Sequence, residues 1–358
     1  MAKRKIQKPT RFERMYKVWD YLRKNTDRRH PTSIAKMRKD EDINAYIGDK
    51  ERYERDDSDE DDSYIANVMR IKNLYYNRTF SEKEVDSIIE GIMATRTLDS
   101  KSAQELVRKV EDNMTTVFYK RTPRHICKVQ EPELADRELL KDNLAIIQKA
   151  IDDNVRIQFR FNGYSYEKKL EPVREESDEL SPYYIVASGG KYYLLAAKEY
   201  EGYKPNMSIW RIDLMTDIEI PGRNDRLHIK GIPRIPKKNV SNLPEKWSED
   251  FQLKHLNMSF DKPVTVTLRI KSEKCEDNPK KRVRPGYTFL HDWFGDSFTY
   301  IRTETNPPYD DIVRVECSPY GMAHWALQYS ELVEVLEPES LREDIKSKIK
   351  ALNEKYSL

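Results

Sequence analysis

Glycine is scarce in this chain, at 11 of 358 residues. Phosphate-cradling loops of the Gly-x-x-x-x-Gly-Lys-Ser/Thr and Gly-x-Gly-x-x-Gly kinds need closely spaced glycines, and neither pattern occurs. Cysteine is scarcer still. Cys127, Cys275 and Cys317 stand far apart, so neither a disulfide framework nor a zinc knuckle is expected, and a reducing cytosol is the expected setting. The six histidines never pair at i, i+4, and neither His-Glu-x-x-His nor Gly-x-Ser-x-Gly is present. A helical zinc hydrolase and a serine-hydrolase elbow therefore have no support. No apolar run approaches the roughly 18–20 residues of a membrane span. The basic opening MAKRKIQKPT leads into no apolar stretch, so no secretory signal is expected. Nor does one charge dominate: 64 Lys and Arg meet 62 Asp and Glu, for a formal net charge of +2. That balance excludes a uniformly basic surface. The expectation is a cytoplasmic protein, not an enzyme, with no cofactor and no metal.

What the sequence does have is length for two or three domains and bulky apolar surface, with 22 Tyr, 10 Phe and 5 Trp. Charge is segregated along it. Residues 1–37 carry twelve bases against three acids, whereas residues 38–62 carry twelve acids against five bases and end in Asp-Asp-Ser-Asp-Glu-Asp-Asp. A solvated loop is the simplest reading of that run, since calcium loops need fixed spacing and a turn glycine that it lacks.

Residues 11–24 place Phe12, Met15, Trp19 and Leu22 at helical intervals, which predicts an amphipathic helix. Breaks at Thr26–Asp27 and His30–Pro31 precede a second short helix with Ile34 and Met37, capped by Thr32 or Ser33. A helix, a turn and a helix is how helix-turn-helix modules begin. Ser81 and Glu84 form a capping box for a helix striped by Val85, Ile88, Ile89 and Ile92. Another helix after Ser100 carries Leu106, Val107 and Val110, and a third uses Leu140, Leu144, Ile147 and Ile151. The period then falls to two at Val155, Ile157, Phe159 and Phe161, a half-buried strand. Further strands are predicted at 166–170, 183–187, 192–197 and 209–214, with turns at Asn162–Gly163 and Gly189–Gly190. Residues 221–254, with four prolines, read as a long connection. A strand through Val264, Val266, Leu268 and Ile270 and a closing helix with Leu341, Ile345, Ile349 and Leu352 follow.

Three segments carry a family likeness. Ser181-Pro182-Tyr183-Tyr184-Ile185-Val186, Tyr192-Tyr193-Leu194 and Arg211-Ile212-Asp213 resemble the strands of the WYL family, whose hallmark is an aromatic-Tyr-Leu tripeptide. His291-Asp292-Trp293-Phe294-Gly295, Trp325 and Val335-Leu336-Glu337-Pro338 with Leu341-Arg342 resemble the C-terminal extension that accompanies many WYL domains. The likeness spans roughly residues 134–356, and the N-terminal helices resemble the winged helix-turn-helix and connecting helices of such regulators. It implies an α+β multidomain fold: a winged helix-turn-helix-like module with an acidic insertion (1–78), connecting helices and linker (79–133), an SH3-like β-barrel WYL domain (134–221), a linker (222–258) and an α+β extension domain (259–358).

The likeness also implies a homodimeric transcriptional regulator that binds double-stranded DNA and senses a negatively charged, nucleic-acid-like ligand. By position the ligand-binding residues are Ser181, Tyr183, Tyr193 and Arg211 with Asp213 beside them. A guanidinium fork suits phosphate, and tyrosine offers a stacking face and a hydroxyl. The tyrosines could equally be core aromatics, and Arg211 could pair with Asp213 or Glu199. Where the family has a second arginine three residues beyond the first, this chain has Leu214, which shifts the expected anion contact towards Lys198 or Arg160.

Expected nucleic-acid contacts are Arg11, Arg14, Lys17, Arg28 and Arg29 on the phosphates, and Lys50, Arg52 and Arg55 in the segment corresponding to the recognition helix. That segment reads Lys-Glu-Arg-Tyr-Glu-Arg-Asp-Asp, with Asp57 where the family has isoleucine, and acids there repel a duplex. Either the two arginines face the groove, or the module has become a dimerisation platform. A further basic patch, Lys280, Lys281, Arg282 and Arg284, could hold nucleic acid or form a solvated hairpin tip. The alternative function is an accessory protein that binds single-stranded DNA or RNA and modulates a CRISPR or other defence nuclease. A protein-interaction scaffold is the third reading.

Overall fold

The structure is a computed structural model that describes residues 9–47, 73–95, 98–120, 137–272, 274–275, 278–282 and 286–356. Lys50, Arg52, Arg55, the acidic run, the expected linker at 121–133 and Arg284 lie outside the described residues. The chain divides into Met1–Glu133 and Leu134–Leu358. The arrangement is the mixed α+β one expected, with helices first and antiparallel sheets after.

In the first unit, α1 (Arg11–Asn25) starts at a capping box in which Thr10 and Glu13 satisfy each other's backbone N–H groups. Ser33 caps α2 (Ile34–Met37), and α3 (Glu41–Ile47) follows. Met37, Ile43 and Ile47 form the buried core, against Val18, Tyr21, Leu22 and Ile34. The face of α1 that packs is thus Val18, Tyr21 and Leu22. Of the expected stripe, Phe12 and Met15 are 77% and 65% exposed and Trp19 is also exposed. Large aromatics set the apolar periodicity of α1, but a core this small accommodates only the face nearest α2 and α3. A two-way backbone bridge joins Thr32 to Leu74. Helix α4 (Glu82–Ala94) has the Ser81–Glu84 box and packs Val85 and Ile89 on α5 (Ser100–Met114). On α5 Asp99 is the cap and Ala103, Val107 and Val110 point inward, while Leu106 is exposed.

The second unit opens with α6 (Arg137–Asp153), whose Leu140, Leu144, Ile147 and Ile151 lie on the sheet as their spacing predicts. Strands β1 (Ile157–Tyr164), β2 (Leu170–Pro172), β3 (Asp178–Ser188), β4 (Lys191–Tyr200), β5 (Tyr203–Arg211) and β6 (Met215–Glu219) form one curled antiparallel sheet. Its order is β2-β1-β3-β4-β5, with β6 on β1. Asn162–Gly163 is not the turn expected. Both residues are inside β1, and the Asn162 amide donates to Leu214 O and Thr216 Oγ1, each at 3.0 Å. Gly189–Gly190 does turn, with φ of +55° and +72°, a region where glycine has no Cβ penalty.

One face of the sheet takes α6, and residues 222–258 cover the other. Ile235, Val240, Leu243, Phe251 and Met258 pack on Tyr183, Val186, Leu195, Ala197 and Met207. Prolines and scattered charge hid this role, because a strap needs no periodicity to bury a side chain here and there. It includes the short α7 (Phe251–Lys254).

The remaining residues give β7 (Val264–Ile270), β8 (Lys274–Cys275), β9 (Asn278–Arg282), α8 (Thr288–Phe294), β10 (Thr299–Thr303), β11 (Asp311–Cys317), α9 (Pro319–Gln328), β12 (Val333–Glu337) and α10 (Glu339–Tyr356). The sheet β10-β11-β7-β12 carries a core centred on Trp325, which touches Phe289, Phe294 and Tyr329. In α10, Leu341 and Ile345 pack inward, but Ile349 and Leu352 run past the sheet into solvent. No helix among the described residues is long and apolar enough to cross a membrane.

Candidate functional site

Strands β3, β4 and β5 are hydrogen-bonded neighbours, so the three motif segments lie side by side. Ser181 sits opposite Ala197, and Tyr193 opposite Arg211. Alternation along β4 places Tyr193, Leu195 and Ala197 on the strap side, and Leu194 and Ala196 on the α6 side. Ser181, Tyr183, Tyr193 and Arg211 therefore share the strap face, and Lys198 belongs to the opposite one.

Each polar group is already engaged. The Ser181 hydroxyl accepts the Ile235 N–H at 3.0 Å, and the Tyr183 hydroxyl donates to the Ile235 carbonyl at 2.7 Å. Burial pushes the Tyr183 phenol up, so it remains a protonated donor. Arg211 lies forked on Asp213, with Nε at 3.1 Å from Oδ1 and Nη2 at 2.5 Å from Oδ2. Burial opposes its charge most strongly of any single cause, but the hydrogen bonds and charge of Asp213, with Tyr193 and Tyr164 nearby, together outweigh it and raise its pKa. The Arg211 side chain is 29% exposed while that of Asp213 is buried. Of its five N–H donors, two are directed at Asp213. Lys198 reaches the fully buried Asp178 at 2.7 Å, and Arg174 meets the same carboxylate at 3.0 Å. Arg160, the other cation considered, stands 3.7 Å from Asp217.

Sequence reasoning passed over three cations because they lie in or against the strap. Arg156 donates to Pro233 O and pairs with Glu179 and Glu199 at 2.9 and 2.8 Å. Arg234 donates to Pro182 O at 2.7 Å and Asn154 Oδ1 at 2.6 Å, with its guanidinium 5.0 Å from the Tyr183 ring centre. Lys237 lies 4.1 Å from the Tyr184 ring centre. The signal was present as Arg234-Ile235-Pro236-Lys237-Lys238, a basic cluster in a segment read as connection.

In the first unit, Arg11, Arg14 and Lys17 recur every third residue on α1, and Arg28 and Arg29 follow on an exposed loop. Lys17 lies over the Tyr46 ring at 5.7 Å, and Arg14 is half-buried. Arg78 ties the end of α1 to the end of α5 by donating to Thr26 O, Arg23 O and Thr115 O. Lys280, Lys281 and Arg282 fall in β9, paired with β8.

Residues 262–352 match the WCX domain family, and they coincide with the sheet β10-β11-β7-β12 and its helices. By that match the segment resembles a WCX domain. The WCX domain is the WYL-associated C-terminal extension, so the WYL resemblance of the sequence is met at that extension. Among solved structures, the proteasome accessory factor B/C of Arthrobacter aurescens is 16% identical, with 78% of this chain covered and a TM-score of 0.23. This chain spans 37% of that protein's length. A CRISPR Cas-related protein is 15% identical, with 90% of this chain and 83% of that one covered and a TM-score of 0.33. No curated protein matches the chain.

Proposed function

We propose that the chain is a DNA-binding transcriptional regulator whose WYL-like sheet receives a negatively charged, nucleic-acid-like ligand. The observation that supports this best is the WCX domain at 262–352, which follows a sheet whose adjacent strands carry Ser-Pro-Tyr, Tyr-Tyr-Leu and Arg-x-Asp in order. In this reading Tyr193 and Arg211 meet the ligand from the strap face. Ser181 and Tyr183 hold the strap over it, and Asp213, beside them, offsets part of the Arg211 charge. Lys198 serves through its pairing with Asp178. Arg11, Arg14, Lys17, Arg28 and Arg29 grip the duplex, Lys50, Arg52 and Arg55 read it, and Lys280, Lys281, Arg282 and Arg284 add a separate phosphate contact. The working unit is a homodimer in the cytoplasm.

The test is salt-dependent binding of the purified full chain to matched duplex DNA, single-stranded DNA and RNA. Duplex preference with a steep fall of affinity with salt, weakened by Arg28→Ala and Arg29→Ala, supports the regulator. The accessory role is favoured by one feature, the twelve acids against five bases in residues 38–62, which repel a duplex where it would be read. Preference for single strands that is lost in Arg211→Ala selects that role. Binding to none of the three overturns both.

A further inference from the structure

Cations on the strap face are of two kinds. Arg211 is neutralised by Asp213, and Arg156 by Glu179 and Glu199. Arg234 and Lys237 differ, because among the described residues neither has a carboxylate within ion-pair distance. They sit instead on tyrosine rings: Arg234 at 5.0 Å over Tyr183 and Lys237 at 4.1 Å over Tyr184. Successive strand residues normally face opposite sides. An irregularity between Pro182 and Tyr184 in the β3–β4 register lets both rings pack in the strap cluster. Strap residues i and i+3 thus meet strand residues j and j+1.

The second half of the arrangement is aromatic. Trp247 is 44% exposed, and its ring centre lies 5.7 Å from that of Tyr184 and 5.5 Å from that of Phe251. Phe251 in turn stacks on the buried His255 at 4.1 Å. The indole is therefore supported by two rings and still partly exposed. The Tyr184 hydroxyl is 2.9 Å from Lys237 Nζ and donates to the Pro244 and Glu245 carbonyls at 3.0 Å, which anchors the loop bearing Trp247. The surrounding charge favours an anion: residues 234–254 hold five bases (Arg234, Lys237, Lys238, Lys246, Lys254) and three acids (Glu245, Glu249, Asp250).

We infer that Lys237 and Trp247, mounted together on Tyr184 with Arg234 alongside, form a nucleotide subsite in which the indole stacks on a base and the cations take its phosphate. Stacking on an aromatic face beside a basic group tolerates any base, and a cation with no carboxylate partner keeps a net charge to offer a phosphate. The subsite rests on the reading that the WYL-like sheet binds a nucleic-acid-like anion, and it adds a contact on the strap to those of Tyr193 and Arg211.

Fluorescence anisotropy of a labelled eight-nucleotide oligothymidylate, titrated with the full chain, tests it. Lys237→Gln and Trp247→Ala are each expected to weaken binding about tenfold, the first with a urea midpoint within experimental error of the parent and the second with a modestly lower one, both folded at the titration conditions. Arg234→Gln should do the same, but it also frees the Pro182 carbonyl, so the other two variants decide. Competition by thymidine 5′-monophosphate as well as by unlabelled oligomer supports the subsite with a free nucleotide as sufficient ligand. Competition by the oligomer alone supports it with a strand as ligand. Affinities of Lys237→Gln and Trp247→Ala within twofold of the parent overturn the subsite. If Arg211→Gln abolishes binding in that case, the broader reading stands without it. If the parent binds no oligothymidylate, both fall.

Discussion

The Tyr183 hydroxyl donates to the Ile235 carbonyl at 2.7 Å, joining β3 to a strap residue 52 positions later. The bond is buried, and Ser181 two residues earlier accepts the Ile235 N–H, so both backbone groups of one strap residue are satisfied by one strand. A segment without regular hydrogen-bonding partners of its own is held in register by two side chains. Tyr183→Phe leaves the Ile235 carbonyl buried without a donor, a loss of about 1–3 kcal/mol. Urea denaturation should show a lower midpoint at unchanged slope; a midpoint equal to the parent's would mean that the strap is held by its apolar contacts alone.

Asp213→Asn separates stability from affinity. The carboxylate is buried and forked to Arg211, and removing one member of such a pair is costly, here about 1–3 kcal/mol because the arginine reaches solvent. The same change leaves Arg211 a cation without its counter-charge. Oligothymidylate affinity is expected to rise while the urea midpoint falls. A fall in both would assign Asp213 a direct part in shaping the ligand contact.

Gly321, in the first turn of α9, has no room for a side chain. A Cβ there would stand 2.6 Å from Ser259 Oγ, 2.7 Å from Leu256 O and 2.8 Å from Ser318 Oγ. Leu256 belongs to the end of the strap and Ser259 directly follows it, so the glycine lets α9 approach that end closely. Gly321→Ala should cost about 1–3 kcal/mol, read as a drop in thermal midpoint, whereas Gly91→Ala, where no atom lies within 4 Å, should hold or raise it.

His255 makes stability pH-dependent. Burial lowers its pKa below the ordinary 6.5, against the opposing bond to the Ser259 carbonyl. The unfolded chain therefore binds the proton more readily than the folded one. Stability is expected to fall as pH drops below about 6.5, by at most about 1.4 kcal/mol per pH unit from this group. Urea midpoints at pH 7.5 and 5.5 should differ less in His255→Gln than in the parent; equal differences would place the pH dependence elsewhere.

Cys317 is fully buried in the core on the sheet β10-β11-β7-β12, and burial pushes its thiol up to about 12. Since the thiolate is the reactive species, peptide mapping after iodoacetamide treatment should find Cys317 unmodified in the native protein and modified in urea. Native modification would show that β11 opens under folded conditions.

Local patterns were legible wherever one physical rule acted alone. The Ser81–Glu84 box, the α6 stripe and the alternation of β1 need only their own neighbours, so α4, α6 and β1 follow from sequence. The order of the three motif strands and the segment that matches the WCX family were equally legible, because each is a short run of residue types. What the sequence could not decide was which face of α1 meets a core, since Phe12 and Trp19 are as apolar as Val18 and Leu22 and only the position of α2 and α3 selects between them. Nor could it divide the cations. Arg211, Lys198 and Arg234 are alike as cations; tertiary folding brings Asp213 to the first, Asp178 to the second and, among the described residues, the Tyr183 ring, a backbone carbonyl and a side-chain amide to the third. Neutralisation depends on which charges share a few ångströms, and that is settled by strand register and by the path of the strap.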